Sequence, residues 1–333
     1  MKNVVCFGEL LLRMSPALNG KWIHNAFMPV YIGGAELNVA MGLSKWNVPV
    51  KYCTAIPDTY ISKEIMDKLK ENNIDTSAIL ISGTRIGLYY LPQGADLKNA
   101  GVIYDRAYSS FSELQPGMIN WDEVLKECSW FHFSAICPAL NENVAAVCKE
   151  ALVAASKKNL HISVDLNYRA KLWQYGKKPV EVMPELLQYC NVVMGNIWAA
   201  EHLLGIESSI SESKGKSNKE LIEAAGRSMK QLHLEYAKIT SMAYSFRLEE
   251  LYFGVLQHGP VMAISQKLPV INIVDKAGSG DCFMSGLIYG LYNNHPPQEI
   301  IDFAAAAAVG KMEEKGDATN QTIQSVKNRI IKK

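Results

Sequence analysis

Strand-length apolar stretches alternate with amphipathic helical stretches along this chain, and that alternation constrains its fold more than any other feature. Val192-Val193-Met194 runs into the helical pattern Ala199 to Leu204, and the helix-like stretch from Glu142 to Lys157 runs into the strand-like His161 to Leu166. Repeated βα units of this kind build a largely parallel sheet with helices packed on it. Two regions break the rhythm. Residues from about 10 to 31 and from 87 to 108 are rich in Tyr, Leu, Val and Ile with Gly and Pro interruptions, which reads as strand pairs forming a small β-structured flap on the main sheet. The polar stretch Glu207 to Asn218 returns at once to helix periodicity, so it is an insertion and not a boundary. The expected organisation is a single α/β domain over residues 1–333.

Composition removes several classes of function. Lys plus Arg number 34 against 33 Asp plus Glu, a net charge of +1, so the excess a nucleic-acid binder would use is missing. The seven cysteines are scattered without a Cys-x-x-Cys pair, which fits reduced thiols in cytosol and not a disulfide framework or zinc site. No apolar run reaches the roughly 18 residues of a membrane span, and Met1-Lys2-Asn3 leads straight into the strand-like Val4 to Phe7. A cytoplasmic protein with neither membrane nor nucleic-acid partners is expected. Gly215-Lys216-Ser217 looks like the tail of a phosphate loop, but that motif needs Gly at 210, where this chain has Ile210.

The chemistry concentrates between Val270 and Asn294. A β-rich run, Val270 to Val274, precedes Asp275-Lys276-Ala277-Gly278-Ser279-Gly280-Asp281, after which Phe283, Leu287 and Leu291 mark one face of a helix that stops at Asn293 to Pro297. Small residues at 277 to 280 admit a ligand close to the backbone, and a helix N-terminus offers it unpaired N–H groups and a positive dipole. This is an anion hole. Asp281 beside it is either a dipole-favoured N-terminal carboxylate or a general base for a hydroxyl attacking phosphorus.

This segment resembles the Asp-Thr-x-Gly-Ala-Gly-Asp signature of the ribokinase-like (PfkB) carbohydrate kinases. Gly33-Gly34-Ala35-Glu36-Leu37-Asn38-Val39-Ala40 is similar to the N-terminal Gly-Gly-x-x-x-Asn-x-Ala turn of that family, and Asp165-Leu166-Asn167-Tyr168-Arg169 to its Asp-x-Asn-x-Arg segment. The resemblance covers nearly the whole chain. It implies a three-layer α/β/α fold with a mostly parallel central sheet and a small β-lid, acting on ATP with Mg²⁺. By the same resemblance Asp281 is the catalytic base, and the backbone of Gly278, Ser279 and Gly280 holds the transferring phosphoryl group. Gly33, Gly34, Asn38, Asn167 and Arg169 then contact the sugar, and Asn196, Lys276, Ala277, Gly278 and Gly280 the nucleotide. Asp275 would neighbour a monovalent cation, and the lid would pair copies of the chain into a homo-oligomer.

Within the family, Gly87-Leu88-Tyr89 and Val102 to Ser110 resemble the lid strands of 2-keto-3-deoxygluconate kinases, as Lys315 to Asn320 resembles their Gly-Asp-x-x-Asn ending. Tyr89, Tyr104 and Arg106 would then contact the substrate. An arginine fork suits a sugar carboxylate, and a tyrosine offers a flat face and a hydroxyl. The alternatives are a fructokinase-like kinase of a neutral sugar, or a non-catalytic sugar binder on the same fold. Departures from the family pattern are Lys276 for Thr, Ser279 for Ala, Ala199 where an Asn-x-x-Glu segment beginning at Asn196 should carry the Glu that orders Mg²⁺, and Thr240 to Phe246 in place of a Gly-rich nucleotide loop. Glu201, about 200° further round a helix, is no substitute for that Glu.

Overall fold

In the computed structural model of the chain, residues 2–16, 27–92 and 101–330 are described. In chain order, β1 (Asn3–Phe7) leads to β2 (Leu11–Met14), β3 (Val30–Gly33), α1 (Ala35–Lys45), β4 (Val50–Ile56), α2 (Tyr60–Glu71) and the short β5 (Ile74–Asp75) and β6 (Ile79–Ile81). Next come β7 (Gly87–Tyr90), β8 (Ile103–Asp105), α3 (Trp121–Val124), β9 (Cys128–Ser134), α4 (Glu142–Lys157), β10 (His161–Asp165), α5 (Pro179–Leu187), β11 (Val192–Gly195) and α6 (Ile197–Leu204). The chain continues through α7 (Asn218–Glu235), β12 (Ser241–Arg247), β13 (Leu251–His258), β14 (Val261–Ile264), β15 (Leu268–Pro269), α8 (Ser279–Tyr292), α9 (Pro297–Met312) and α10 (Ile323–Arg329).

The large sheet has the order β14-β13-β12-β11-β10-β9-β1-β4-β5. From β12 to β5 neighbouring strands are parallel, and β13 and β14 finish one edge antiparallel. Strand side chains alternate between faces, and here both faces are apolar. Val5, Phe7, Phe131, Phe133, Ile162 and Val164 pack with Val144 and Leu152 of α4, Leu187 of α5 and Leu221 of α7. Val4, Cys6, Trp130, Met194 and Ala243 pack instead with Leu37 and Leu43 of α1, Phe283 and Leu287 of α8 and Ile301 of α9. Burial of each large apolar side chain is worth about 1.5–3 kcal/mol, so neither face can be left to water. The result is the three-layer α/β/α arrangement expected.

Local signals set the helix starts. The Asn141 side chain accepts from Val144 N at 2.9 Å and starts α4 where periodicity placed it. Ser217 caps α7 in a box with Glu220, so Gly215-Lys216-Ser217 is a helix entry and not a phosphate loop. The expected strand at 270–274 does not form. β13 is already paired with β15, and Val270 N donates to Glu250 O at 3.0 Å. Beyond it the chain leaves the sheet, with Ile271 77% exposed, until Val274 N and Asp275 N donate to Met312 O. Tying this run to the end of α9 brings residues 275–281 over the carboxyl edge of the sheet.

The second sheet has the order β3-β2-β7-β8, with β2 and β7 parallel and the outer pairs antiparallel. It is the flap read from residues 10–31 and 87–108. Residues 17–26 and 93–100 of those stretches lie outside the described residues.

Candidate active site

α8 begins at Ser279, with Gly278 as its N-cap at φ 74°. A Cβ at 278 would lie 1.7 Å from the Asp317 carbonyl oxygen, so both the conformation and the space demand glycine. Asp281 sits in the first turn, buried, and Asn38 Nδ2 donates to its Oδ2 at 2.7 Å. Burial pushes its pKa up to about 7, opposed by the Asn38 bond and the Arg169 charge and helped by Glu36 and Asp317. A carboxyl group poised there can take up and release a proton near neutral pH.

Asn38 comes from α1, whose N-cap Gly34 has φ 130° and no room for a Cβ against the Glu9 carbonyl oxygen, 2.3 Å away. Its Oδ1 is buried without a protein partner. Glu36, two residues earlier, accepts from Ser134 N at 2.9 Å and from the Cys137 thiol, and burial raises its pKa. Asp165, the last residue of β10, is raised well above the carboxylate range by burial and by the Asp281 charge.

These groups line one cavity of about 720 Å³, together with Gly34, Tyr89, Tyr104, Arg106, Asn167, Arg169, Asn196, Lys276, Gly278, Ser279 and Gly280. Residues chosen from five separate parts of the sequence therefore converge. Gly33, Ala277 and Asp275 lie behind the wall: a Cβ at 33 would strike the Asp317 carboxylate, Ala277 is buried, and Asp275 is fully enclosed.

Several expected contacts are arranged differently. The Arg106 fork is closed on Glu9, with Nε donating to Oε2 at 2.6 Å and Nη2 at 2.5 Å. Ser109 Oγ donates to the same carboxylate. At 6% exposure an arginine without a counter-charge would be costly, which is why the fork does not stand open. The Tyr89 hydroxyl donates to Asp317. Asn196 Oδ1 accepts from Ala199 N at 2.9 Å and caps α6, so its oxygen is spent on the helix. Glu201 is not part of the cavity wall, whereas its neighbour His202 is, stacked on Tyr168 at 4.7 Å. Arg169 Nη1 donates to Tyr168 O at 3.0 Å.

Three functional candidates escaped the sequence reading. Glu9 is one. Arg13 is another: fully buried, it donates from Nη1 and Nη2 to the two Asp275 oxygens at 3.2 and 2.5 Å, and its Nε lies 3.0 Å from Asp317 Oδ1. It ties flap strand β2 to the anion-hole loop and to the C-terminal segment. The available signal was parity, since Arg13 falls on the inward face of Leu11-Leu12-Arg13-Met14 with Leu11. Arg247 is the third. The stretch from Thr240 to Phe246 that shows no Gly-rich loop is strand β12, and Arg247 closes it on the cavity with Nη1 3.5 Å from Ser279 Oγ.

Comparison with known proteins bears on the family and the fold. The model of the pfkB family carbohydrate kinases matches residues 1–323. The crystal structure of 2-dehydro-3-deoxygluconokinase from Thermotoga maritima superposes with a TM-score of 0.88 at 30% identity, covering 98% of this chain and 99% of that one. A PfkB family carbohydrate kinase from Listeria grayi gives 0.86 at 28% identity, with 98% and 99% covered. The 2-dehydro-3-deoxygalactonokinase of Haloferax volcanii is 26% identical over 331 residues, 99% of this chain and 96% of that protein.

Proposed function

The chain belongs to the pfkB family of carbohydrate kinases, and from that premise we propose that it transfers the γ-phosphoryl group of ATP to a hydroxyl of a 2-keto-3-deoxy sugar acid, 2-keto-3-deoxygluconate first among them. The observation that carries the reading is Asp281. A buried carboxyl group with a pKa of about 7 stands beside the helix N-terminus, in the same cavity as Arg106 and Arg169. A mere sugar binder has no use for a base beside an anion hole. The likeness to the Thermotoga and Haloferax kinases supports an acid sugar over a neutral one.

In this reading Asp281 accepts the hydroxyl proton as the oxygen attacks phosphorus, and the amides at 278–280 take up the charge that develops. Asn38 orients Asp281 with its amide and offers its unpartnered Oδ1 to a sugar hydroxyl. Arg106, held by Glu9, and Arg169 face the substrate carboxylate. We take the β2/β3/β7/β8 sheet as a lid on a single kinase domain; closing it excludes water that would otherwise accept the phosphoryl group. Its outward-facing Val30 and Ile103, each about half exposed, suit pairing with a second copy. Mg²⁺ arrives with ATP. Position 199 is Ala, and among the described residues no cluster of three or more His, Cys, Asp or Glu is built to hold a metal; the ion would come bound to the phosphate oxygens of ATP. Asp275, expected beside a monovalent cation, already has Arg13 as its counter-ion. The seven cysteines are unpaired and buried, and no described helix is long and apolar enough to cross a membrane, which accords with a cytoplasmic enzyme.

The test is ATP consumption with 2-keto-3-deoxygluconate, 2-keto-3-deoxygalactonate, fructose and ribose, for the native chain and Arg106→Met. The acid sugars should be preferred. Loss of a charge-assisted contact worth about 1.5–3 kcal/mol should cut their kcat/KM roughly 10- to 150-fold, and a neutral ketose should lose much less. Equal losses on both would remove Arg106 from carboxylate recognition and leave it holding the lid through Glu9.

A further inference from the structure

We infer that Arg247 is a further catalytic residue, which neutralises charge on the phosphoryl group as it passes from ATP to the sugar. The inference rests on the kinase reading and assigns a group that neither the motif pattern nor the relatives' names supply. β12 lies beside β11, and both end at the same edge of the sheet, so Arg247 and the Gly195-Asn196 turn open onto one cavity. The Arg247 guanidinium reaches Ser279 Oγ, which itself donates to Lys276 O at 2.9 Å. Ser279 is the first residue of α8; its N–H donates to Lys276 O at 3.4 Å, and it stands between Gly278 and Gly280 in the cavity wall, at the helix start read as the anion hole. The guanidinium therefore stands at the mouth of that hole.

Two departures from the family pattern meet in this contact. Ser279 replaces an alanine, and an arginine-ended strand replaces a Gly-rich loop. A serine hydroxyl gives the guanidinium an anchor that a methyl group cannot, and an anchored planar fork loses less entropy on binding phosphate oxygens. Charge points the same way. ATP brings about four negative charges, while the α8 N-terminus supplies roughly half a positive one. Arg247 and Lys276 are among the side-chain cations that line the cavity, and the carboxylate that would help organise Mg²⁺ at position 199 is missing.

During transfer Asp281 takes the hydroxyl proton and an oxygen lone pair forms the new bond to the γ-phosphorus. The bond from that phosphorus to the β,γ-bridging oxygen breaks, and its electron pair leaves with ADP. Charge grows on the bridging oxygen and is spread over the three equatorial oxygens, where guanidinium donors at the mouth of the hole act more strongly in the transition state than on bound ATP.

The experiment uses the full chain with Arg247→Met and Arg247→Lys. It measures kcat, KM for the sugar acid, Kd for ADP by calorimetry, and Kd for ADP with aluminium fluoride and sugar as a mimic of the transferring group. For Arg247→Met, kcat should fall about 10²- to 10³-fold and mimic binding should weaken in parallel, while ADP affinity and sugar KM change less than about fivefold. Arg247→Lys, which keeps the charge but not the fork, should recover part of the loss, and if the Met variant does not fold it decides the matter alone through the same ratios. A kcat within about threefold of native, or ADP affinity falling in step with kcat/KM, overturns the assignment. A native chain that phosphorylates no sugar acid with ATP overturns the proposed function itself, and this inference with it.

Discussion

Replacing Asn38 by Leu should move the pH at which the enzyme switches on. Asn38 Nδ2 lies 2.7 Å from Asp281 Oδ2, and this is the largest influence holding the Asp281 pKa down against burial. A hydrogen bond to an ionised group contributes about 1.5–3 kcal/mol, and 1.36 kcal/mol equals one pKa unit, so its loss should raise the pKa by roughly 1–2 units. Leu is close to Asn in size and keeps water from taking the donor's place. The sign follows from the mechanism: a base must be deprotonated, so kcat/KM rises with pH through the free-enzyme pKa. That acid limb should stand at about 7 in the native enzyme and roughly 1–2 units higher in the variant. At pH 7 the active fraction would drop from about one half to between one part in ten and one in a hundred. The assay is kcat/KM for 2-keto-3-deoxygluconate from pH 5 to 10. Because Asn38 also faces the sugar, the alkaline plateau should fall too, and only the position of the limb tests the argument. A lower plateau with the limb moved by less than about 0.3 units would show that Asn38 does not stabilise the Asp281 carboxylate.

Asp281→Asn should keep the fold and the affinity for sugar but lower kcat by about 10² or more, the scale of a lost general base; near-normal turnover in single-turnover assays would exclude Asp281 as the base. Arg13→Met leaves Asp275 and Asp317 buried, with Lys311 as the nearby cation, and should cost about 3–5 kcal/mol of stability, measured by urea unfolding; an unchanged midpoint refutes the bridge. Since Arg13 already balances Asp275, exchanging K⁺ for Na⁺ or tetramethylammonium at constant ionic strength should alter kcat by less than about twofold, and strong selective activation by K⁺ would contradict this. Hydrogen exchange in β2, β7 and β8 should slow when saturating sugar acid is added, and unchanged protection in all three would argue against lid closure.

The sequence by itself determined the layered fold, because short continuous apolar runs such as Val4 to Phe7, buried on both faces, alternate with helices such as Glu142 to Lys157 whose burial has a period of 3.6. It also made legible the helix start on which the proposed anion hole and base rest, since a glycine at 278 and a carboxylate three residues on lie within one turn. What it could not determine were the partners of charged side chains, which depend on segments far apart in the chain. Arg13 and Asp275 are separated by 262 positions and Arg106 and Glu9 by 97, yet each pair is closed in the fold. Val270 to Val274 has a strand's composition, but whether it pairs depended on β15 already occupying the edge of β13. Arg247 at the end of a strand carries no signal of its own, and only the packing of α8 against the sheet sets it beside Ser279. Burial decides these matters: a charge that the fold removes from water must find its counter-charge wherever the topology brings one.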